Sequence, residues 1–321
     1  MHYRRLGHSG LKVSEISLGA WVTFGSQIGE KQAIALIESA YDLGVNFFDN
    51  ADKYANGDAE TMMGKAIKSI QREALVISSK VFWPTMPGPN GRGLSRKHIT
   101  ESIHATLKRL HTDYIDLYFC HRFDPDTPID EVVYTMDTLI RQGKILYWGT
   151  SEWRAWQITE ACNIARQNHF APPSAEQPQY NMFHRQRVEI ELAPVCKEFN
   201  IGLTTWSPLD NGILTGKYND GIPDGSRAAL EGMEWIRDRI TPERIAIVRN
   251  LSRMAEDMHI TIAQLALVWL LRRKEISSVI TGATTQKQLE ENIESAEALE
   301  KLNNDVLEKV EKILDNQPEE E

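Results

Sequence analysis

Val-Asn-Phe-Phe-Asp (45–49), Leu-Val-Ile-Ser-Ser-Lys (75–80) and Tyr-Ile-Asp-Leu-Tyr-Phe-Cys-His (114–121) decide how this chain folds. Each is a short apolar run that closes on a charged or ionisable side chain, the pattern of a buried parallel strand. Working outward, similar runs occur at Glu15–Leu18, Ile145–Ser151, Ser174–Gln177, Gly202–Trp206 and Ser278–Gly282. Between them lie amphipathic stretches at helical spacing: Ala33, Ile34, Ile37, Ala40 and Tyr41, then Ile99–Leu110, Ile129–Ile140, Ile158–Arg166 and Ile190–Phe199. Thr241-Pro242-Glu243 reads as an N-cap with proline at the first helical position, opening Ala246–Met258. Thr285-x-x-Gln288 reads as a capping box for a last helix. Eight strand–helix units of about 40 residues predict an α/β fold, a (β/α)8 TIM barrel. Three additions to it are expected: a hairpin over Tyr3–Val13, a long loop after the seventh strand (Ser207–Ile240), and extra C-terminal helices, one between Thr261 and Arg272. No linker interrupts 1–321, which reads as one barrel domain, and the acidic tail 316–321 is expected to fray.

Composition narrows the function. The 36 basic and 45 acidic residues leave a net charge of −9, which argues against nucleic acid and anionic membranes as partners. The apolar run Ile262–Leu271, with Gln264 inside it, is too short for direct membrane insertion. Met-His-Tyr-Arg-Arg-Leu-Gly at the start lacks a signal peptide's apolar core. Three cysteines (120, 162 and 196), with no Cys-x-x-Cys, fit reduced thiols in the cytoplasm. None of the nine histidines forms a ligand-spaced pair with another at a strand end, so no metal site is expected.

In a barrel the C-terminal strand ends form the active-site rim, which here carries Asp49, Lys80, His121, Ser151, Gln177, Trp206 and Gly282. Together with Tyr54, five residues after Asp49, this set suits carbonyl reduction. Oxygen that receives a hydride's electrons gains negative charge and needs a proton. Tyrosine is a poor acid near neutrality, and a neighbouring ammonium is expected to lower its pKa. Lys80 fits that role, with Asp49 orienting Lys80 and His121 positioning the substrate oxygen. Side chains cannot donate hydride, so a nicotinamide is required. No Gly-x-Gly-x-x-Gly follows any strand, so the cofactor must lie across the rim, against Trp206, Ser207–Leu209, Lys217, Arg227 and the helix opening near Thr285.

These residues resemble the aldo-keto reductase superfamily over roughly the whole chain, from Tyr3 to Asp315. Trp-Val-Thr-Phe-Gly (21–25), Arg-Gly-Leu-Ser-Arg-Lys-His-Ile (92–99), Tyr-Trp-Gly-Thr-Ser (147–151), Thr-Trp-Ser-Pro-Leu (205–209) and Gly-Ile-Leu-Thr-Gly-Lys-Tyr (212–218) are similar to the branch containing voltage-gated potassium channel β subunits. The resemblance implies NADPH-dependent reduction of small aldehydes or ketones, with Asp49, Tyr54, Lys80 and His121 as the catalytic four. It implies nicotinamide contacts at Ser151 and Gln177, which would hold the carboxamide, and at Trp206, which would stack. Trp21 and Gln27 match positions near the cofactor and substrate mouth, Asp49 is a further cofactor contact, and pyrophosphate and loop contacts fall on Ser207, Pro208, Leu209 and Lys217. Adenosine and 2′-phosphate contacts fall on Arg227, Gly282, Thr284, Gln288, Glu291 and Asn292. Trp21, Tyr54, Trp83 and His121 line the implied substrate mouth. A homotetramer is implied by resemblance alone.

Some positions depart from that branch. His121 replaces the Asn usual in channel subunits and follows the pattern of working reductases. Glu152 stands where Arg or Asn is common, Gly225 where channel subunits have Tyr, and Asp210 and Asn211 replace small residues. Two other readings compete: a channel-subunit-like accessory or redox-sensing protein with incidental turnover, and a barrel glycosidase using Asp49 with Glu152.

Overall fold

The structure, a computed structural model, describes residues 1–319. Glu320 and Glu321, the end of the tail expected to fray, lie outside the described residues. Eight parallel strands close into a barrel: β3 (Ile16–Gly19), β4 (Phe47–Asp49), β5 (Val76–Val81), β6 (Ile115–Cys120), β7 (Ile145–Thr150), β8 (Ala175–Glu176), β9 (Gly202–Thr205) and β10 (Ile276–Thr281). β10 returns to pair with β3, in the register Val279↔Ile16. The strands follow the apolar runs of the sequence to within two residues, the largest shifts being the starts of the second, at Phe47, and of the eighth, at Ile276.

The expected hairpin is present as β1 (Tyr3–Arg5) and β2 (Lys12–Ser14), paired antiparallel. Leu6 and Val13 from this hairpin pack with Phe47, Val76, Leu117, Phe119 and Ala175. Those are inward-facing positions of the barrel strands, so the hairpin floors the N-terminal end with apolar side chains. The larger core lies outside the sheet, where Phe48, Ile77, Tyr118, Cys120 and Trp148 meet the helices. Side-chain alternation along each strand separates the two clusters.

Helices α1 (Glu30–Asp42), α3 (Arg96–Leu110), α4 (Ile129–Arg141) and α5 (Ala155–Asn168) extend the expected amphipathic segments by a turn or less. The sequence reading missed α2 (Asp58–Ala66), whose short span and two glutamate-or-aspartate residues in the first turn hide its apolar stripe. Before α6 (Ala193–Phe199) the backbone makes a π-helical turn, Arg187–Leu192. The helices α7 (Pro242–Asp257) and α8 (Ile262–Leu271) follow the long loop, and α9 (Gln286–Glu294) and α10 (Asn304–Leu314) end the fold. No single helix among the described residues is long and apolar enough to cross a membrane; α7 and α8 reach that length only as a pair bent by 89°.

Two local expectations need correction. Thr285 does cap α9 by accepting from the Gln288 amide, but Gln288 does not reciprocate; its side chain turns back to the Thr284 amide and hydroxyl. The reciprocal box sits instead at Thr261 and Gln264, opening α8. The tail is also anchored at its start: Asn316 donates to Met182 O at 2.8 Å and accepts from Arg185 at 3.0 Å.

Candidate active site

Strand alternation explains why the rim residues converge. Asp49, Ser78, Lys80, His121, Ser151 and Gln177 all occupy inward positions, two or four residues above Phe47, Val76, Leu117, Phe119, Tyr147 and Ala175. The lower positions form the apolar plug, and the polar ones crown it. Lys80 is fully buried and Asp49 nearly so. Lys80 Nζ donates to Asp49 Oδ2 at 2.7 Å, to Asn50 O at 2.6 Å and to Tyr54 Oη at 3.3 Å. Asp49 Oδ1 accepts from Ser78 Oγ at 2.7 Å and Gln177 Nε2 at 3.0 Å. The carboxylate thus has donors on both oxygens, which is what a buried charge requires. Ser78 was missed from the sequence, although lying two residues before Lys80 on a strand puts it on the same face.

Tyr54 arrives from the loop after β4, on a tight turn in which Ala55 and Asn56 are left-handed (φ 48° and 53°). Gly57 completes the turn at φ 96°, where a Cβ would lie 2.9 Å from Arg109 Cδ, so only glycine fits. Arg109 Nε in turn donates to Glu60 Oε2 at 2.6 Å, and Glu60 Oε1 accepts from Ser79 Oγ at 2.5 Å. The outward face of β5 therefore anchors the turn whose tyrosine the inward face receives. The Tyr54 and His121 rings meet edge to face at 5.8 Å, and Trp83 stands edge-on to His121 at 6.3 Å.

The expectation that Lys80 lowers the Tyr54 pKa is corrected by burial. Desolvation, and then the Asp49 carboxylate, hold the phenol well above its usual pKa of 10.0. Burial also lowers the Lys80 pKa against the pull of Asp49. His121 is held well below 6.5 by burial, with Lys80 and Arg122 adding to it, so the imidazole stays neutral. The site therefore presents a protonated phenol and a neutral imidazole side by side.

The opposite half of the rim is built differently. Trp206 is half buried, edge-on to Trp21 at 6.0 Å, and its Nε1 donates to Glu152 Oε1 at 2.9 Å. Glu152 also accepts from the Gln179 amide at 2.6 Å and pairs with Arg187 at 3.1 Å. It is thus a brace for Trp206, fully engaged, and not poised to activate water as a glycosidase base. Ser151 Oγ donates to Gln177 O at 2.9 Å, tying two expected carboxamide contacts together. Asn181, missed from the sequence for want of any local signal, donates to Ser207 O at 2.9 Å. Pro208 is buried and Leu209 half buried beside it.

These residues fit a nicotinamide dinucleotide. Gln27 Oε1, Ser207 Oγ, Ser226 Oγ and both amide atoms of Asn211 are buried without a partner among the described residues. Arg227 and Lys217 meet no carboxylate there either, although desolvation and then the Arg227 charge lower the Lys217 pKa. Arg227 reaches toward Thr23 Oγ1 at 3.5 Å and lies over Trp21. A Cβ at Gly282 would sit 2.8 Å from Arg227 Nη2, so glycine there leaves room for the guanidinium. Asp210 is not near-neutral filler: buried, it pairs with Arg239 at 2.6 Å and Arg244 at 3.2 Å, tying the long loop to α7. Gly225 sits exposed with open space around it. On α9, Asn292 is buried and Glu291 half buried, while Gln288 is spent on Thr284.

A sequence model of the aldo/keto reductase family matches residues 15–315. A protein of Arabidopsis thaliana named "Probable voltage-gated potassium channel subunit beta" is 49% identical over 99% of this chain and 98% of its own length. A protein of Oryza sativa subsp. japonica with the same name is 46% identical over the same shares. With a closed eightfold barrel, a crowned lysine–aspartate pair and a match over nearly its whole length, the chain belongs to the aldo/keto reductase family.

Proposed function

We propose that the protein is an NADPH-dependent reductase of small aldehydes and ketones in the cytoplasm, with the whole chain acting as one barrel domain and Tyr54 as proton donor. One observation carries this reading. An ammonium has three N–H groups, and those of Lys80 go to Asp49, Asn50 O and Tyr54 Oη. Tyr54 Oη accepts from Lys80, so its own proton is directed away from the lysine, toward the pocket it shares with His121. Burial keeps that proton in place until a stronger base, the developing alkoxide, meets it.

When bound, the nicotinamide supplies the hydride that no side chain can give. Trp206 would stack on it with Trp21 beside, Ser151 and Gln177 would hold its carboxamide, and Gln27 would lie near the mouth. Ser207, Pro208, Leu209 and Lys217 hold the pyrophosphate. Arg227, Gly282, Thr284, Glu291 and Asn292 would take the adenosine and its 2′-phosphate, and Gln288 would join them only by giving up its bonds to Thr284. Neutral His121 donates to the carbonyl oxygen, and Trp83 walls the mouth.

Pure protein mixed with NADPH and an aldehyde panel, followed by absorbance at 340 nm, tests this. Sustained oxidation that disappears in Tyr54→Phe supports the mechanism, and full activity in Tyr54→Phe ends it. The names of the two plant relatives favour a second reading, an accessory subunit or redox sensor that binds NADP(H) with little turnover. Tight NADPH binding with no more than one slow turnover, in a homotetramer by sedimentation, would select it.

A further inference from the structure

Arg122 follows His121 directly at the lip of β6, and the reaction described so far gives it no task. Its Nη1 donates to His121 O at 2.5 Å, and its guanidinium carbon lies 5.7 Å from the centre of the Trp83 ring. The group is half buried. The other arginines that are half buried or more (Arg4, Arg72, Arg109, Arg185, Arg187, Arg239, Arg244, Arg272 and Arg273) each lie within 4.0 Å of a carboxylate. The exceptions among the described residues are Arg227, on the nucleotide side, and Arg122, on the substrate side. A guanidinium taken partly out of water without a counter-charge is costly, and its planar fork suits a carboxylate.

The nearest acidic neighbour in sequence does not serve it. Asp124 accepts from the Leu94 and Asp126 amides and from Thr127 Oγ1. Arg92, exposed over Phe82 at 5.7 Å, adds a second cation to this side of the mouth and likewise meets no carboxylate among the described residues. Arg122 is close to the chemistry too, since its charge contributes to lowering the pKa of both His121 and Lys80. In a chain of net charge −9, the substrate mouth is a local positive spot.

We propose that this mouth selects carbonyl compounds that carry a carboxylate, received by the Arg122 guanidinium beside the Trp83 ring, on the reductase reading given above. The flat indole edge and the fork together suit an aryl or extended carboxylate better than a compact one.

The NADPH-loaded enzyme is assayed with 3- and 4-formylbenzoate against 3- and 4-formylbenzamide, which match in shape but not in charge; the amide is intrinsically the more electrophilic aldehyde, so any preference for the acid comes from the site. In at least one pair the acid is expected to exceed the amide in kcat/KM by about tenfold, the scale of one charge-assisted contact. Arg122→Gln should bring that ratio to about one, and Arg122→Lys should restore part of it, because the charge returns without the fork. Equal rates for acid and amide in the wild-type enzyme, or a ratio that survives Arg122→Gln, overturn the proposal. If no aldehyde is turned over, the reductase reading fails by itself. The selectivity is then read by calorimetry on NADP-loaded protein, with 4-(hydroxymethyl)benzoate against 4-(hydroxymethyl)benzamide. A tighter acid supports the carboxylate site, and equal dissociation constants refute it.

Discussion

The two halves of the rim solve the same problem, polar groups near a buried floor, in opposite ways. In the proposed catalytic half, Lys80 and Asp49 saturate one another, with Ser78, Gln177, Asn50 and Tyr54 completing the set; of these residues and His121, only His121 Nδ1 is a buried atom without a partner among the described residues. In the nucleotide half, Ser207, Asn211 and Ser226 carry unpartnered buried atoms, and Ser207, Asp210 and Asn211 hold left-handed backbone. The first half is preorganised, whereas the second presents buried polar groups that the chain does not satisfy among the described residues, which suits the proposed cofactor. Chemistry needs fixed dipoles before the substrate arrives. Cofactor exchange needs a surface that gains its order on binding.

The largest effect should come from breaking the preorganised half. Tyr54→Phe deletes the proposed proton donor and no expected nucleotide contact. We expect kcat to fall by about 10²–10⁴-fold, with the NADPH dissociation constant unchanged within about twofold. A matching loss of NADPH affinity would show that the two halves are not separable.

Arg227→Ala attacks the other half. Losing a charged hydrogen bond should weaken NADPH binding by roughly 1.5–3 kcal/mol, while kcat at saturating cofactor changes little. Fluorescence titration measures the first and initial rates the second. Unaltered affinity would remove Arg227 from the nucleotide site.

Glu152 belongs to the second half, where it braces Trp206 through the indole N–H. Glu152→Gln keeps an acceptor but loses the pairing with Arg187. A loss of about 1 kcal/mol in NADPH affinity is expected, on the scale of one hydrogen bond. An effect on kcat larger than that on affinity would place Glu152 with the catalytic group.

The smallest effect concerns stability. Burial raises Asp52 from 3.8 to about 7 and Glu176 from 4.5 to about 8. Both folded-state values lie above the unfolded ones, so the folded chain holds these protons more tightly. Their contribution to stability is fully present below about pH 4 and is lost as pH rises through about 7 and 8. Asp52→Asn should therefore flatten the fall in Tm between pH 5 and pH 9, by about 1.5 °C for each kcal/mol recovered in a chain of this length. An unchanged slope would mean that Asp52 ionises freely. Asp49, at the end of β4, accepts from Ser78, Lys80 and Gln177, whereas among the described residues the one side-chain donor to Asp52 is Ser102.

Much of the barrel was legible because burial on both faces leaves each strand as an apolar run, and loops punctuate the runs. The helix α2 escaped because nine residues carry too little period to stand out. Around the site, Asp49, Lys80 and His121 were readable as strand ends, whereas Asn181 was not, since its partner Ser207 O lies 26 residues away. The Gln288 capping box failed for a related reason: a local motif competes with other nearby donors, and the Thr284 amide won.

By itself the sequence determined which residues face the barrel mouth, because side-chain alternation is a local property of extended chain. It also determined the family, through motifs spread along the whole length. Only the tertiary structure decided which charges are satisfied. Arg185 meets Glu311 from 126 residues away, while Arg122, beside His121, meets no carboxylate among the described residues. Pairing depends on what the fold brings within a few ångströms, and no spacing along the chain encodes that.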